Sequence, residues 1–101
     1  VRAASAPGPL LARVGHYELV EGRIVLAERR SGRIYLNFGR FWQEDFTAVI
    51  EAPAIRMFAA AGVDPLVLEG ALVRVRGWVD DRDGPRIEIT HPEQLEVLAI
   101  Q

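Results

Sequence analysis

Arginine and aromatic side chains carry most of the binding chemistry this sequence offers. The 12 basic residues are all arginine, a bias that genomic base composition explains as readily as function does. Guanidinium groups are planar, forked donors suited to phosphates, carboxylates and stacked rings. Arg29, Arg30, Arg33 and Arg40 surround Tyr35, Asn37 and Trp42, with Arg23 just upstream. Further on, Arg74 and Arg76 alternate with Trp78. Tyr35 or Trp42 can stack a nucleobase while flanking guanidinium groups hold phosphates. The bland alternative is ordinary strand-exterior polarity. On that reading Arg74 and Arg76 pair with Glu88 and Glu21 across strands, and Trp78 packs under a terminal segment.

The other reactive groups lack a constellation. Asp80, Asp81 and Asp83 suggest a hard-cation site, but with Gly84 at the turn position Val79 would fall at the first ligand place. A solvated hairpin tip is the better reading, with Asp83-Gly84 as its turn pair. His16 and His91 have no metal-ligand spacing, and the chain has no cysteine, so no metal site is expected. His91, ahead of Pro92, is expected to hydrogen-bond at a strand end. Ser31 lies in a turn with no base beside it, which gives nucleophilic catalysis no support. No glycine-rich phosphate loop precedes a helix. No catalytic residue and no cofactor are assigned, and enzymatic activity of this chain alone is the less favoured reading.

These groups must be held by a single small domain. The chain has 101 residues, 50% hydrophobic, with a net charge of −2 and a pI near 5.7. That length suits one compact unit. The acidic balance excludes a general polyanion binder, so any nucleic-acid surface must be a local stripe. No apolar run is long enough for a membrane-spanning helix. Residues 1–14 are small and turn-prone near the start, as expected of a linker or N-terminal extension. Residues 15–101 form the expected domain. Ala4-Ser5-Ala6 could end a secretory signal, but the charged and apolar regions of one are missing.

Alternating apolar residues predict strands over 18–29, 33–39, 46–50, 72–79 and about 86–90. In the first, Val20, Gly22, Ile24 and Leu26 are expected on one face and Glu21, Arg23, Val25 and Ala27 on the other. Gly22 permits a bulge or sharp coil. Pro53, Ile55, Phe58 and the stop residue Gly62 predict a short helix over 53–61. Residues 95–100 close the chain as an apolar segment of unassigned type. Three strands, a helix and two strands is the order of a five-stranded Greek-key OB-fold barrel, with one short helix between strands three and four. An SH3-like barrel usually lacks such a helix.

The runs Gly32-Arg33-Ile34-Tyr35-Leu36-Asn37-Phe38-Gly39, Asp45-Phe46-Thr47, Val73-Arg74-Val75-Arg76-Gly77-Trp78 and Thr90-His91-Pro92-Glu93-Gln94 resemble a bacterial OB-like domain related to, or following, staphylococcal-nuclease-like domains. The resemblance spans about residues 15–98. It implies an accessory module beside a phosphodiesterase domain, with an upstream nuclease domain as partner and export or the periplasm as one location. It does not imply that this chain cuts anything. The expected function is therefore a non-catalytic OB-fold module that binds single-stranded DNA or RNA, or assists a nuclease. The alternative is a protein-interaction or interdomain module, favoured by the acidic tip and by Val25, Val49 and Leu72 as exposed apolar candidates.

Overall fold

The computed structural model describes residues 1–41 and 43–100. Among them are eight strands: β1 Arg2–Ala3, β2 Tyr17–Arg23, β3 Leu26–Arg30, β4 Arg33–Asn37, β5 Thr47–Ile50, β6 Leu72–Asp81, β7 Pro85–Ile89 and β8 Leu95–Ala99. Helix α1 covers Pro7–Leu11, and α2, Ala52–Ala60, lies between β5 and β6. The expected count of five strands is thus corrected. The order along the sheet is β1-β2-β6-β7-β5-β4-β3, with β8 also paired to β6.

The extra strands have local causes. The first expected strand breaks at Ile24 and Val25, where the backbone changes partner between successive residues. Ile24 N–H donates to the Ala71 carbonyl at 3.0 Å, and Val25 N–H donates to the Asn37 carbonyl at 2.8 Å. One stretch of chain therefore serves both ends of the sheet, with β2 beside β6 and β3 beside β4, and the sheet curls. The break also shifts the alternation by one residue. Val20 and Ile24 are buried, but beyond the break Ala27 packs on the core and Leu26 is exposed, which reverses the expectation for that pair. The two-residue turn at Ser31 and Gly32 has φ of 53° and 78°, the geometry that suits a tight hairpin.

Inward positions of every long strand meet in one core that includes Ile34, Leu36, Ile50, Val73, Val75 and Ile87. Helix α2 contributes Ala54 and Phe58 to it. The helix stops as its sequence predicts: Gly62 at φ 78° donates to the Ala59 carbonyl, and Val63 donates to that of Phe58. These two bonds satisfy carbonyls that the helix leaves open. No helix among the described residues is long and apolar enough to cross a membrane.

The segment expected as a linker or N-terminal extension packs into the fold. Leu10 of α1 is 0% exposed and Ala4 joins the core. Gly22 makes room for it, because a Cβ there would sit 2.5 Å from Ala4 Cβ. Close approach, rather than a bulge, is what that glycine permits. Glu18 receives Arg2 Nε at 3.0 Å and Arg13 Nε at 3.3 Å, tying the extension to β2.

Candidate nucleic-acid interface

The outer face of β3, β4, β5 and β7 gathers part of the expected set. Strand alternation places Arg33, Tyr35 and Asn37 of β4 outward, and the hairpin brings Arg30 opposite Arg33. The Arg30 guanidinium carbon lies 4.2 Å from the Tyr35 ring centroid, and that of Arg86 on β7 lies 5.8 Å away. Both are within cation–π range, so the ring face and the positive groups form one unit. Arg33 pairs with Glu51 at 3.1 Å. The Tyr35 hydroxyl as hydrogen-bond partner, and then the Glu51 charge, hold Arg33 above its ordinary pKa, so it stays cationic at any working pH.

Other expected members are placed elsewhere. Arg29 pairs with Ile34 in register, so it sits on the opposite side of the hairpin from Tyr35. There it lines a cavity of about 310 Å³ with Ile55, Ala59, Val63 and Asp64. Arg23, expected beside Tyr35, lies on β2 before the break and donates to the Gly70 carbonyl at 3.1 Å. Of the cross-strand pairs expected for Arg74 and Arg76 with Glu88 and Glu21, Arg74 is bonded to Glu21 at 2.9 Å, whereas Arg76 meets Glu96 at 3.3 Å and neither reaches Glu88. Asn37 is on the Tyr35 face but buried, and its Oδ1 accepts from Thr47 Oγ1 at 3.2 Å. Arg40 is exposed in the β4–β5 loop. That loop is fixed by Asp45, whose Oδ2 accepts from Phe41 N–H at 2.9 Å. Phe41 is exposed, and Trp42 lies outside the described residues.

Two outer-face expectations are overturned. Val49, expected exposed, is fully buried between Tyr35 and Glu88 in register. Trp78, expected to pack, is 66% exposed and meets Tyr17 edge to face, with ring centroids 5.7 Å apart at 84°. The sequence reading missed Arg86 as a site member. Its outward position in β7 was legible, but its nearness to Tyr35 depends on the parallel pairing of β5 with β7. Among the described residues, no group of three or more His, Asp or Glu side chains is placed to hold a metal ion.

The polarity of this face is uneven. The β3–β4 hairpin end carries Arg30 and Arg33, whereas the β6–β7 tip carries Asp80, Asp81 and Asp83. That tip abuts the β4–β5 loop, since a Cβ on Gly84 would lie 2.9 Å from the Glu44 and Asp45 backbone.

No family model matches the chain, and no curated protein matches it in sequence. Solved structures do match its fold. Aspartyl tRNA synthetase from Entamoeba histolytica superposes with a TM-score of 0.65 at 10% identity, over 89% of this chain and 20% of that one. Asparaginyl-tRNA synthetase from Pyrococcus horikoshii gives 0.60 at 22% identity, over 87% and 21%. An OBody, AM1L10, bound to hen egg-white lysozyme gives 0.58 at 15% identity, over 87% and 84%. This chain spans about a fifth of the synthetases' length. The likeness is one of fold, and with the strand order above it makes this an OB-fold domain.

Proposed function

We propose that the chain is a non-catalytic OB-fold module that binds single-stranded nucleic acid on the outer face of β3, β4, β5 and β7. The observation that carries this reading is the gathering of Arg30, Arg33 and Arg86 around Tyr35. In this reading a base stacks on Tyr35 or on the guanidinium plane above it, and the arginines meet the phosphates. Arg40, exposed in the β4–β5 loop, extends the contact. The fold neighbours include enzymes named for tRNA, which agrees with this ligand class. Assistance to a nuclease domain on the same or another polypeptide is the finer form of the proposal, and it draws on the family resemblance alone.

Anisotropy titration with short labelled RNA and DNA single strands tests it. Saturable binding that weakens steeply with salt is expected. Tyr35→Ala should then cost about 1–3 kcal/mol of binding energy. Absence of binding at low salt would reject the proposal.

A second reading, a protein-interaction module, is favoured by the acidic β6–β7 tip, which repels a phosphate backbone. One fold neighbour is named for its complex with a protein. Fold alone does not choose between the two ligand classes.

A further inference from the structure

The other aromatic group on the outer surface has the opposite electrostatic setting. Trp78 on β6 is 66% exposed, and Tyr17, its register partner on β2, is 53% exposed. The edge of one ring meets the face of the other, which fixes the indole in place without covering it. Beside the indole is a recess of about 340 Å³ lined by Trp78, Val79, Asp80, Glu88 and Thr90.

Tyr35 has a guanidinium of its own chain over its ring, whereas Trp78 has none among the described residues. Arg76, two residues before Trp78, and Arg86, the register partner of Asp80, are engaged elsewhere. Arg76 reaches Glu96, and Arg86 turns toward Tyr35. Neither Asp80 nor Glu88 belongs to an ion pair among the described residues. An exposed indole is therefore bordered by two carboxylates outside any ion pair among the described residues, with Asp80 Oδ1 accepting from the Asp81 N–H at 2.8 Å.

We infer that Trp78, Asp80 and Glu88 form a docking site for an arginine side chain presented by a partner protein. The guanidinium plane lies on the indole, the ring type that attracts cations most strongly. Its edge N–H groups donate to the carboxylates, which match the forked geometry of arginine better than that of an ammonium. Glu88 lies across Val49 from Tyr35 in register, so this site borders the Tyr35 face; its carboxylates repel phosphate, and the inference does not rest on nucleic acid binding there.

The test uses the full chain in a Trp42→Phe background, which leaves Trp78 as the sole indole. A tri-arginine peptide is titrated against Trp78 fluorescence, with a tri-citrulline peptide as the neutral, near-isosteric control. The expected result is saturable quenching by tri-arginine, with binding about tenfold weaker for citrulline and for the Asp80→Asn/Glu88→Gln double variant. Circular dichroism checks that the double variant is folded. Equal binding of the two peptides, no loss in the double variant, or no saturation by tri-arginine would overturn the inference. Saturable quenching of Trp78 by a single-stranded oligonucleotide alone, in the Tyr35→Ala background, would also overturn it, by assigning the surface to nucleic acid.

Discussion

Gln94 shows how much one side chain can organise. Strand β6 pairs with β7 over Val79–Asp81 and with β8 over Leu72–Val75, so the ladder has a gap between them. The Gln94 amide fills it. Its Nε2 donates to the Arg76 and Glu88 carbonyls, both at 3.0 Å, and its Oε1 accepts from Thr90 N–H at 2.8 Å and His91 N–H at 3.2 Å. Gly77 leaves the space, since a Cβ there would lie 3.0 Å from Nε2. Gln94→Ala should lower unfolding free energy by about 1–2 kcal/mol in urea, the net worth of a few such bonds. Gln94→Glu should lose the donor half and set a carboxylate oxygen against the Arg76 and Glu88 carbonyls, and so be no more stable than the alanine variant at neutral pH. A variant as stable as the parent would show that water replaces the amide at no cost.

At the scale of elements, the N-terminal extension gives the sharpest test. Leu10→Ala should cost about 2–4 kcal/mol because it empties a fully buried position; a free linker would show no change. The Arg2–Glu18–Arg13 contact makes the attachment depend on pH. The hydrogen bond from Arg2 is the first cause holding Glu18 below its ordinary value of 4.5, against an opposing effect of burial. A carboxylate lowered in the folded state adds stability above its unfolded pKa, and that contribution is lost as pH falls through the folded value. Thermal melts from neutral pH downward should therefore show a drop setting in near pH 4.5, and Glu18→Gln should flatten it. An unchanged slope in that variant would remove Glu18 from the attachment.

The same elements show what a sequence can and cannot reveal. Helix α2 was legible because Pro53, Phe58 and Gly62 are local signals for its start, buried face and end. The β3–β4 hairpin was legible for the same reason. The break at Ile24 and Val25 was not, since unbroken alternation hides a change of partner that only two distant strands impose. Leu10 was obscured by small and turn-prone neighbours, although an apolar pair at Leu10 and Leu11 beyond Pro7 and Pro9 was a signal of a short helix. At the candidate site, Arg30, Arg33 and Tyr35 were readable from hairpin geometry. Arg29 was misplaced because adjacent strand residues point to opposite sides.

Over the whole molecule, a net charge of −2 conceals a basic end at the β3–β4 hairpin and an acidic end at the β6–β7 tip. If single strands lie across the Tyr35 face, the acidic end weakens them through space. Asp81→Asn with Asp83→Asn should tighten binding several-fold at low salt, an advantage that fades once the screening length drops to about 10 Å at 0.1 M. Titrations at two salt concentrations read this directly, and equal affinities at low salt would place the bound strand away from the tip.

The parallel contact of β5 with β7 joins segments far apart in the chain, and it has a consequence during synthesis. Until residues 85–89 leave the ribosome, the apolar run Thr47–Ile50 has one edge with no native neighbour, open to strands of other nascent molecules. A polypeptide truncated after Gly84 should therefore collect in the insoluble fraction, and co-expressing residues 85–101 as a separate fragment should restore it to solution.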